Sequence, residues 1–424
     1  MIAMLAELVL GGLALAGAPR EDAGTAATVP LCPAAVEEGW MASEGAAYMR
    51  WELVQQFKIG VDQLDAMERL FRAFEAAGLD VVAPLVPPRP LADPGRILVG
   101  ERAYDRAQVL EQYRALVRWL GGHGIVVVDL AADAMAGWGE EPPFFSRFDD
   151  HWTSGGARVA AQRVAQAARG LPALQQGPEV AWKTRLMETL PGQSALFRRC
   201  GEGFGETTRY IYGTQRAEPV GLLDELPPPS AVAVGTSQSG PNSNFIGFLR
   251  EYLSRDVSAY AVPGGGALSG LARWLFTETN PDTRPRLVIW ELVMVHLFSI
   301  PSDAPAIRQA EFFRELIPAV AGDCGAKALA TGTSTGGVLL RVPPAARAQG
   351  DGYYLVFTGA LPVEFELVLR HADGDDRHRF EAFDRVGPVP TRFLSLDPAR
   401  TGILSAVRAA AAFPDGITTR LCKG

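Results

Sequence analysis

Between about residue 50 and residue 300 the chain alternates helical and strand-like segments in a way that few architectures accommodate. Leu64, Met67, Phe71 and Phe74 follow helical spacing, Gly78 stops that helix, and Leu79 to Ala83 then runs apolar without a break. Leu110, Tyr113, Leu116, Val117 and Leu120 stripe a second helix that ends at Gly121-Gly122, and Ile125-Val126-Val127-Val128-Asp129 follows at once. A strand apolar at every position must be covered on both faces, whereas a helix apolar every third or fourth residue covers with one face only. A parallel sheet between helical layers satisfies both, so an α/β fold is expected.

The rhythm resumes after a loop rich in Pro and Phe around residues 137–148. Ser154 can cap a helix carrying Val159, Ala160 and Val164. Residues 169–230 show no assignable pattern. Then come a strand from Ala231 to Val234, a helix from about Phe245 to Leu253, a short strand ending near Val262 and a last strand from Arg286 to Leu292. Past Cys324 the runs Val338 to Leu340, Tyr353 to Phe357, Phe365 to Leu369, Phe380 to Phe383 and Phe393 to Leu396 are short and separated by Gly, Pro and Asp. That punctuation predicts an all-β sandwich. A chain of 424 residues is long for one domain, and the expected units are 30–325 and 326–424.

Composition narrows the partners. The net charge is −8 and the 40 basic residues are scattered, which argues against nucleic acid, since phosphate binding needs a concentrated basic face. Residues 1–18 are largely apolar and end in Ala16-Gly17-Ala18, the small-residue spacing of a signal-peptidase site. Against an export signal, no Lys or Arg precedes Arg20 and Glu7 interrupts the run. Cys32, Cys200, Cys324 and Cys422 form no CxxC pair and lie near no His at metal-ligand spacing, so zinc is not expected, and nothing calls for another cofactor. Nested and crossed disulfide pairings are open, but Cys32–Cys200 with Cys324–Cys422 would place one bridge in each half. Each would stabilise by about 4–5 kcal/mol through loop closure. Such bonds persist in an oxidising compartment, which points to the periplasm.

Two short motifs carry chemistry. Gly235-Thr236-Ser237-Gln238-Ser239 follows a strand directly, and a Ser at the C-terminal end of a parallel strand sits where open α/β sheets place ligands. Backbone N–H groups in such a turn can hold an oxyanion. A serine hydroxyl needs a base, and the chain has five histidines, at 123, 151, 296, 371 and 378. His123 lies between glycines in a turn, and His371 and His378 flank an acidic surface loop, Asp373 to Asp376. His151 stands in Phe148-Asp149-Asp150-His151-Trp152-Thr153 just before a helix. Asp149, two residues upstream, can fold back onto the imidazole and orient it. Asp150 should point away, because adjacent side chains in an extended segment diverge.

Together the motifs resemble the SGNH-like acetyltransferases of the alginate O-acetylation machinery, the AlgX/AlgJ group. That group has a D-x-H-W-T segment, then G-[TDN]-S-x-S after a strand, then N-x-x-G-F-L. The corresponding residues are Asp149 to Thr153, Gly235 to Ser239, and Asn244-Phe245-Ile246-Gly247-Phe248-Leu249. Tyr260-Ala261-Val262-Pro263-Gly264-Gly265-Gly266 resembles the group's glycine turn, which would supply an oxyanion N–H from Gly264 or Gly266 beside that of Ser237. AlgX-type members also carry a C-terminal carbohydrate-binding β-sandwich and two disulfides, one per domain.

The resemblance implies a polysaccharide O-acetyltransferase with a Ser237–His151–Asp149 triad. It implies an acetyl donor delivered through a membrane-bound acyltransferase, other exopolysaccharide-assembly proteins as partners, and an exopolysaccharide such as alginate as acceptor. An acetyl esterase with the same triad and a non-catalytic polysaccharide-binding scaffold are the alternatives. The group's W-E-x-x-x-R-Y strand reads here Trp290-Glu291-Leu292-Val293-Met294-Val295-His296, so Val295 and His296 stand where Arg and Tyr would line the acceptor site. His296 is either a substrate contact or a satisfied buried histidine. Arg370, Arg377, His378, Arg379, Arg385 and Arg392 are candidates for gripping sugar carboxylates through charged donors, with Tyr353 or Tyr354 as stacking surfaces.

Overall fold

The computed structural model describes residues 31–201, 206–218, 227–298, 306–346, 348, 352–381, 388–397 and 402–424. The candidate export segment 1–18 and Arg385 lie outside them.

The apolar runs pair as parallel strands. Val257–Ala261, Ala231–Gly235, Leu287–Trp290, Asp80–Val86 and Val126–Asp129 lie side by side in that order, and Leu292–Val293 extends the edge of Asp80–Val86. Ala231–Gly235 is buried along its whole length, as a central strand covered on both faces must be. The Val61–Ala76 helix buries Met67, Leu70, Phe71 and Phe74, and Arg106–Gly122 buries Val109, Tyr113, Leu116 and Leu120. One apolar core joins these faces to the sheet.

The stretch without a sequence pattern folds into a long antiparallel hairpin, Trp182–Gln193 against Glu206–Arg216. It carries the short helix Ala195–Cys200, and the Cys32–Cys200 disulfide (Cα–Cα 5.6 Å) ties that helix to the start of the described chain. The strands of this hairpin are the reason no pattern was visible: they form a separate two-stranded sheet with Leu186, Met187 and Leu190 exposed, so alternation is not enforced by burial.

Two four-stranded antiparallel sheets make the C-terminal region. One orders Ala330–Thr333, Thr418–Lys423, Tyr353–Thr358 and Thr391–Ser395; the other orders Val338–Arg341, Leu404–Ala409, Phe365–His371 and Gly374–Phe380. Leu355, Phe357, Leu394 and Leu421 of the first meet Leu340, Leu367, Leu369, Phe380 and Val407 of the second in a shared core. Of the expected strand Phe380 to Phe383, Phe380 ends the strand Gly374–Phe380, the return arm of a hairpin with Phe365–His371, and residues 382–383 lie outside the described residues. The second disulfide joins Cys324 to Cys422 (Cα–Cα 5.9 Å).

These sheets rest on the helix Ala306–Ala321. Phe276 stacks on Phe393 at 6.0 Å, and the Tyr354 hydroxyl donates to the Gly322 carbonyl at 2.9 Å. A buried ion cluster crosses the same contact: Glu315 accepts from Arg392 Nε at 2.8 Å and lies 3.2 Å from His378 Nε2. Among the described residues no helix is long and apolar enough to cross a membrane.

Candidate active site

The strand Ala231–Gly235 ends in a tight turn packed so closely that its last residue has no room for a side chain. A Cβ on Gly235 would lie 2.5 Å from Glu291 Oε2 and 2.9 Å from Ser239 Oγ. Ser237–Ser239 then make one 3-10 turn, capped by Thr236, whose hydroxyl accepts from the Gln238 N–H. Beneath this turn Glu291 is fully buried. It accepts from the Thr236 N–H at 2.8 Å, the Thr236 hydroxyl at 3.0 Å and the Ser239 hydroxyl at 3.1 Å. Burial pushes the Glu291 carboxyl up to about 7, against the pull of those donors. Ser237 emerges half-exposed above it.

The histidine arrives from an earlier loop, just before the helix Ser154–Ala168. Phe145 and Trp152 bridge as an antiparallel pair, and the His151 carbonyl accepts from the Ser146 N–H at 3.0 Å. The helix that follows is capped by Thr153, whose hydroxyl accepts from Gly155 and Gly156; Ser154, the expected cap, is its first residue. His151 Nε2 lies 2.8 Å from Ser237 Oγ, and His151 Nδ1 lies 2.5 Å from Asp149 Oδ1. Asp149 Oδ2 in turn accepts from the Ala195 N–H at 3.0 Å, at the start of the helix that Cys32–Cys200 secures.

Asp150 departs from expectation. Its Oδ1 is 3.1 Å from His151 Nδ1, because the Asp149-Asp150-His151 segment is a bend rather than an extended strand. Burial would lower the His151 pKa, but the bonds and charges of Asp149 and Asp150 outweigh it and raise it to about 10. Asp150 itself is held well below the usual carboxylate range, since its bond to His151 overcomes its burial. The cluster thus favours the imidazolium that forms when the histidine takes a proton.

Gly264 and Gly266 both have φ of 66°, the left-handed region that favours glycine, and Gly266 begins the helix Gly266–Thr277. Their loop is tied to the nucleophile strand by the Val262 N–H, which donates to the Gly235 carbonyl at 3.0 Å. His296 is largely buried against Trp51 (ring centroids 5.7 Å), and burial lowers its pKa, with the charges of Asp150 and His151 also acting on it.

The C-terminal candidates separate by burial. Arg370, Arg377 and Arg379 are exposed and pair with Asp375, Glu366 and Glu364. Arg392 cannot contact a polymer: it is 4% exposed and bound to Glu315 between the two regions. His378 is fully buried on the same carboxylate, and Tyr354 is buried too, so neither presents a sugar-binding face. Asp376 is likewise not part of a surface loop but buried against Arg314. Sequence reasoning missed Gln238 and Arg198; Arg198 Nη2 approaches Asp149 Oδ2 at 3.8 Å. Glu291 was visible at the end of an apolar strand but not its role.

Among the described residues, Asp149, Asp150 and His151 are one of two groupings close enough to hold a cation, and they are hydrogen-bonded to one another. The other, Asp323 with Cys324 and Cys422, has its sulfurs in a disulfide.

The parallel sheet with a serine turn at its C-terminal edge, and a histidine arriving from an earlier loop, defines an SGNH hydrolase-like protein. Residues 38–294 match the family described as SGNH hydrolase-like domain, acetyltransferase AlgX, and the chain belongs to that family. It is 27% identical over 277 residues to the alginate biosynthesis protein AlgX of Pseudomonas syringae pv. tomato, covering 63% of this chain and 56% of that one. It is 32% identical over 242 residues to the probable alginate O-acetylase AlgJ of the same organism, covering 54% of this chain and 61% of the other. The chain thus spans about half the length of the curated AlgX relatives it matches. The fold is similar to the solved AlgX of Pseudomonas aeruginosa, with TM-score 0.72 and 21% identity over 93% of this chain and 100% of that one. It is also similar to the O-acetyltransferase domain of Pseudomonas putida AlgJ, with TM-score 0.51 and 22% identity over 65% and 98% of the two chains.

Proposed function

We propose that this chain is a polysaccharide O-acetyltransferase acting through an acetyl-serine intermediate, with Ser237 as nucleophile, His151 as base and Asp149 as its orienting carboxylate. The observation that carries the reading is the unbroken line Asp149–His151–Ser237, with contacts of 2.5 and 2.8 Å, in a family described by its acetyltransferase. His151 takes the Ser237 proton as Oγ attacks the acetyl carbonyl, and returns it to the leaving group. A sugar hydroxyl, deprotonated by His151, then attacks the acetyl-enzyme and frees Ser237. Backbone N–H groups of Ser237 and of the Gly264 to Gly266 turn hold the oxyanion in both steps.

In this reading residues 30–325 are the catalytic unit and 326–424 a carbohydrate-binding module. The acceptor is an exopolysaccharide such as alginate, the polymer named for the curated relatives. His296 lines the acceptor side of the site, and Arg370 and Arg379 are among the exposed cations of the module. A membrane-bound acyltransferase delivers the acetyl donor. Two disulfides support action in an oxidising compartment, the periplasm.

The test is incubation of the protein with 4-nitrophenyl acetate and an oligouronide, read by mass spectrometry. Acetylated oligosaccharide should form, and Ser237→Ala should lower ester turnover by about 10³-fold or more. Acetate without acetylated sugar would make the chain an esterase. Unchanged turnover in Ser237→Ala would reject the triad.

A further inference from the structure

The two halves of the triad lie 86 residues apart and sit on different loops, the bend before the helix Ser154–Ala168 and the turn after the strand Ala231–Gly235, so something must set the distance between them. One residue spans the gap. The Gln238 side chain donates from Nε2 to the Asp150 carbonyl at 2.9 Å and accepts at Oε1 from the Trp152 N–H at 2.8 Å. Those are the backbone groups immediately before and after His151. The Trp152 indole N–H then closes the contact by donating to the Gln238 carbonyl at 2.8 Å. Gln238 is 5% exposed, so water does not compete for these bonds. An amide is the side chain that offers a donor and an acceptor side by side, as one rung of a β-ladder would.

We propose that Gln238 is a positioning residue for the triad: its carboxamide grips both flanks of His151 and sets the imidazole against the hydroxyl of the adjoining Ser237. The inference rests on the acyl-transfer reading above. Loss of the grip would let the imidazole swing, and small misplacements of a catalytic group are costly to rate. Gln238→Glu keeps the bond from the Trp152 N–H but turns the donor toward Asp150 into an acceptor. Gln238→Met removes both bonds at similar volume.

Two measurements test the proposal, one of them independent of turnover. The first is the ¹⁵N resonance of His151 Nε2 in histidine-labelled protein, with Ser237→Ala marking the shift that accompanies loss of the Ser–His bond. Both Gln238 variants should move the resonance toward the Ser237→Ala position. The second is 4-nitrophenyl acetate kinetics. Both variants should lower kcat by about tenfold or more with KM within about twofold, and in a His151→Ala background the same substitutions should cost nothing further. A variant that keeps the wild-type resonance overturns the proposal even if it unfolds more easily, as does an equal rate loss with and without His151. A wild-type resonance that ignores Ser237→Ala also overturns it. An inactive protein whose resonance responds as expected would instead sink the acyl-transfer reading and leave the positioning role supported.

Discussion

A histidine held by two carboxylates keeps its proton to higher pH than one held by a single carboxylate. His151 has both Asp149 and Asp150 on Nδ1, and their bonds and charges raise its pKa to about 10 despite its burial. A general base must be neutral to accept the Ser237 proton, so ester turnover should climb with pH through a limb well above the ordinary histidine value near 6.5. Asp150→Asn removes one negative charge and should move that limb to lower pH, which a kcat/KM profile with 4-nitrophenyl acetate would measure. A limb that stays in place would assign Asp150 no part in tuning the base. The spacing of Asp149 from His151 was legible in the sequence, since a carboxylate two residues away reaches back to the ring. The approach of Asp150 was not. It depends on a bend held by the Ser146 N–H of its own loop and by Gln238 and Arg89, which arrive from two other segments; Arg89 donates to the Ser146 and Arg147 carbonyls at 2.9 and 3.0 Å.

At the scale of elements, the nucleophile turn depends on close backbone approach. The helix Gly266–Thr277 presses against the end of the strand Ala231–Gly235 at Gly270, where a Cβ would sit 2.5 Å from the Gly235 N and 2.6 Å from both the Gly235 and Tyr260 carbonyl oxygens. Those are backbone atoms, which cannot rotate away. Gly270→Ala should therefore destabilise the fold by about 1–3 kcal/mol, seen as a lower denaturant midpoint. It should also lower kcat in the folded protein, because the strand end it displaces adjoins Ser237. A variant with wild-type stability and turnover would show that the helix yields instead. The strand was readable from its apolar run, whereas the helix was not read from the sequence, where Gly266 counted only as part of a glycine turn. Their contact was not readable either, because a glycine in a helix looks the same in sequence whether it faces solvent or a strand.

Across the whole molecule, the two regions are joined by a buried ion cluster as well as by apolar contact. Glu315 is 3% exposed and serves both Arg392 and His378. Removing the carboxylate alone strands a buried guanidinium, so Glu315→Ala should cost about 3–5 kcal/mol in urea unfolding. Arg379→Ala, on an exposed pair with Glu364, should stay within about 0.5 kcal/mol. Similar costs for both would remove the cluster from its joining role. The chain's local patterns were enough to indicate a parallel α/β sheet, an all-β end and a serine turn after a strand, because period, glycine stops and strand-end motifs are properties of neighbouring residues. Burial and partnership are not. Arg370 and Arg392 are alike in sequence, yet one pairs with Asp375 in solvent and the other is locked under Phe380, with its guanidinium 4.8 Å from the ring centre. The line from Asp149 through His151 to Ser237 is likewise a tertiary outcome: each motif carries its own chemistry, but an 86-residue separation closes to 2.8 Å only when the sheet places both loops at one edge.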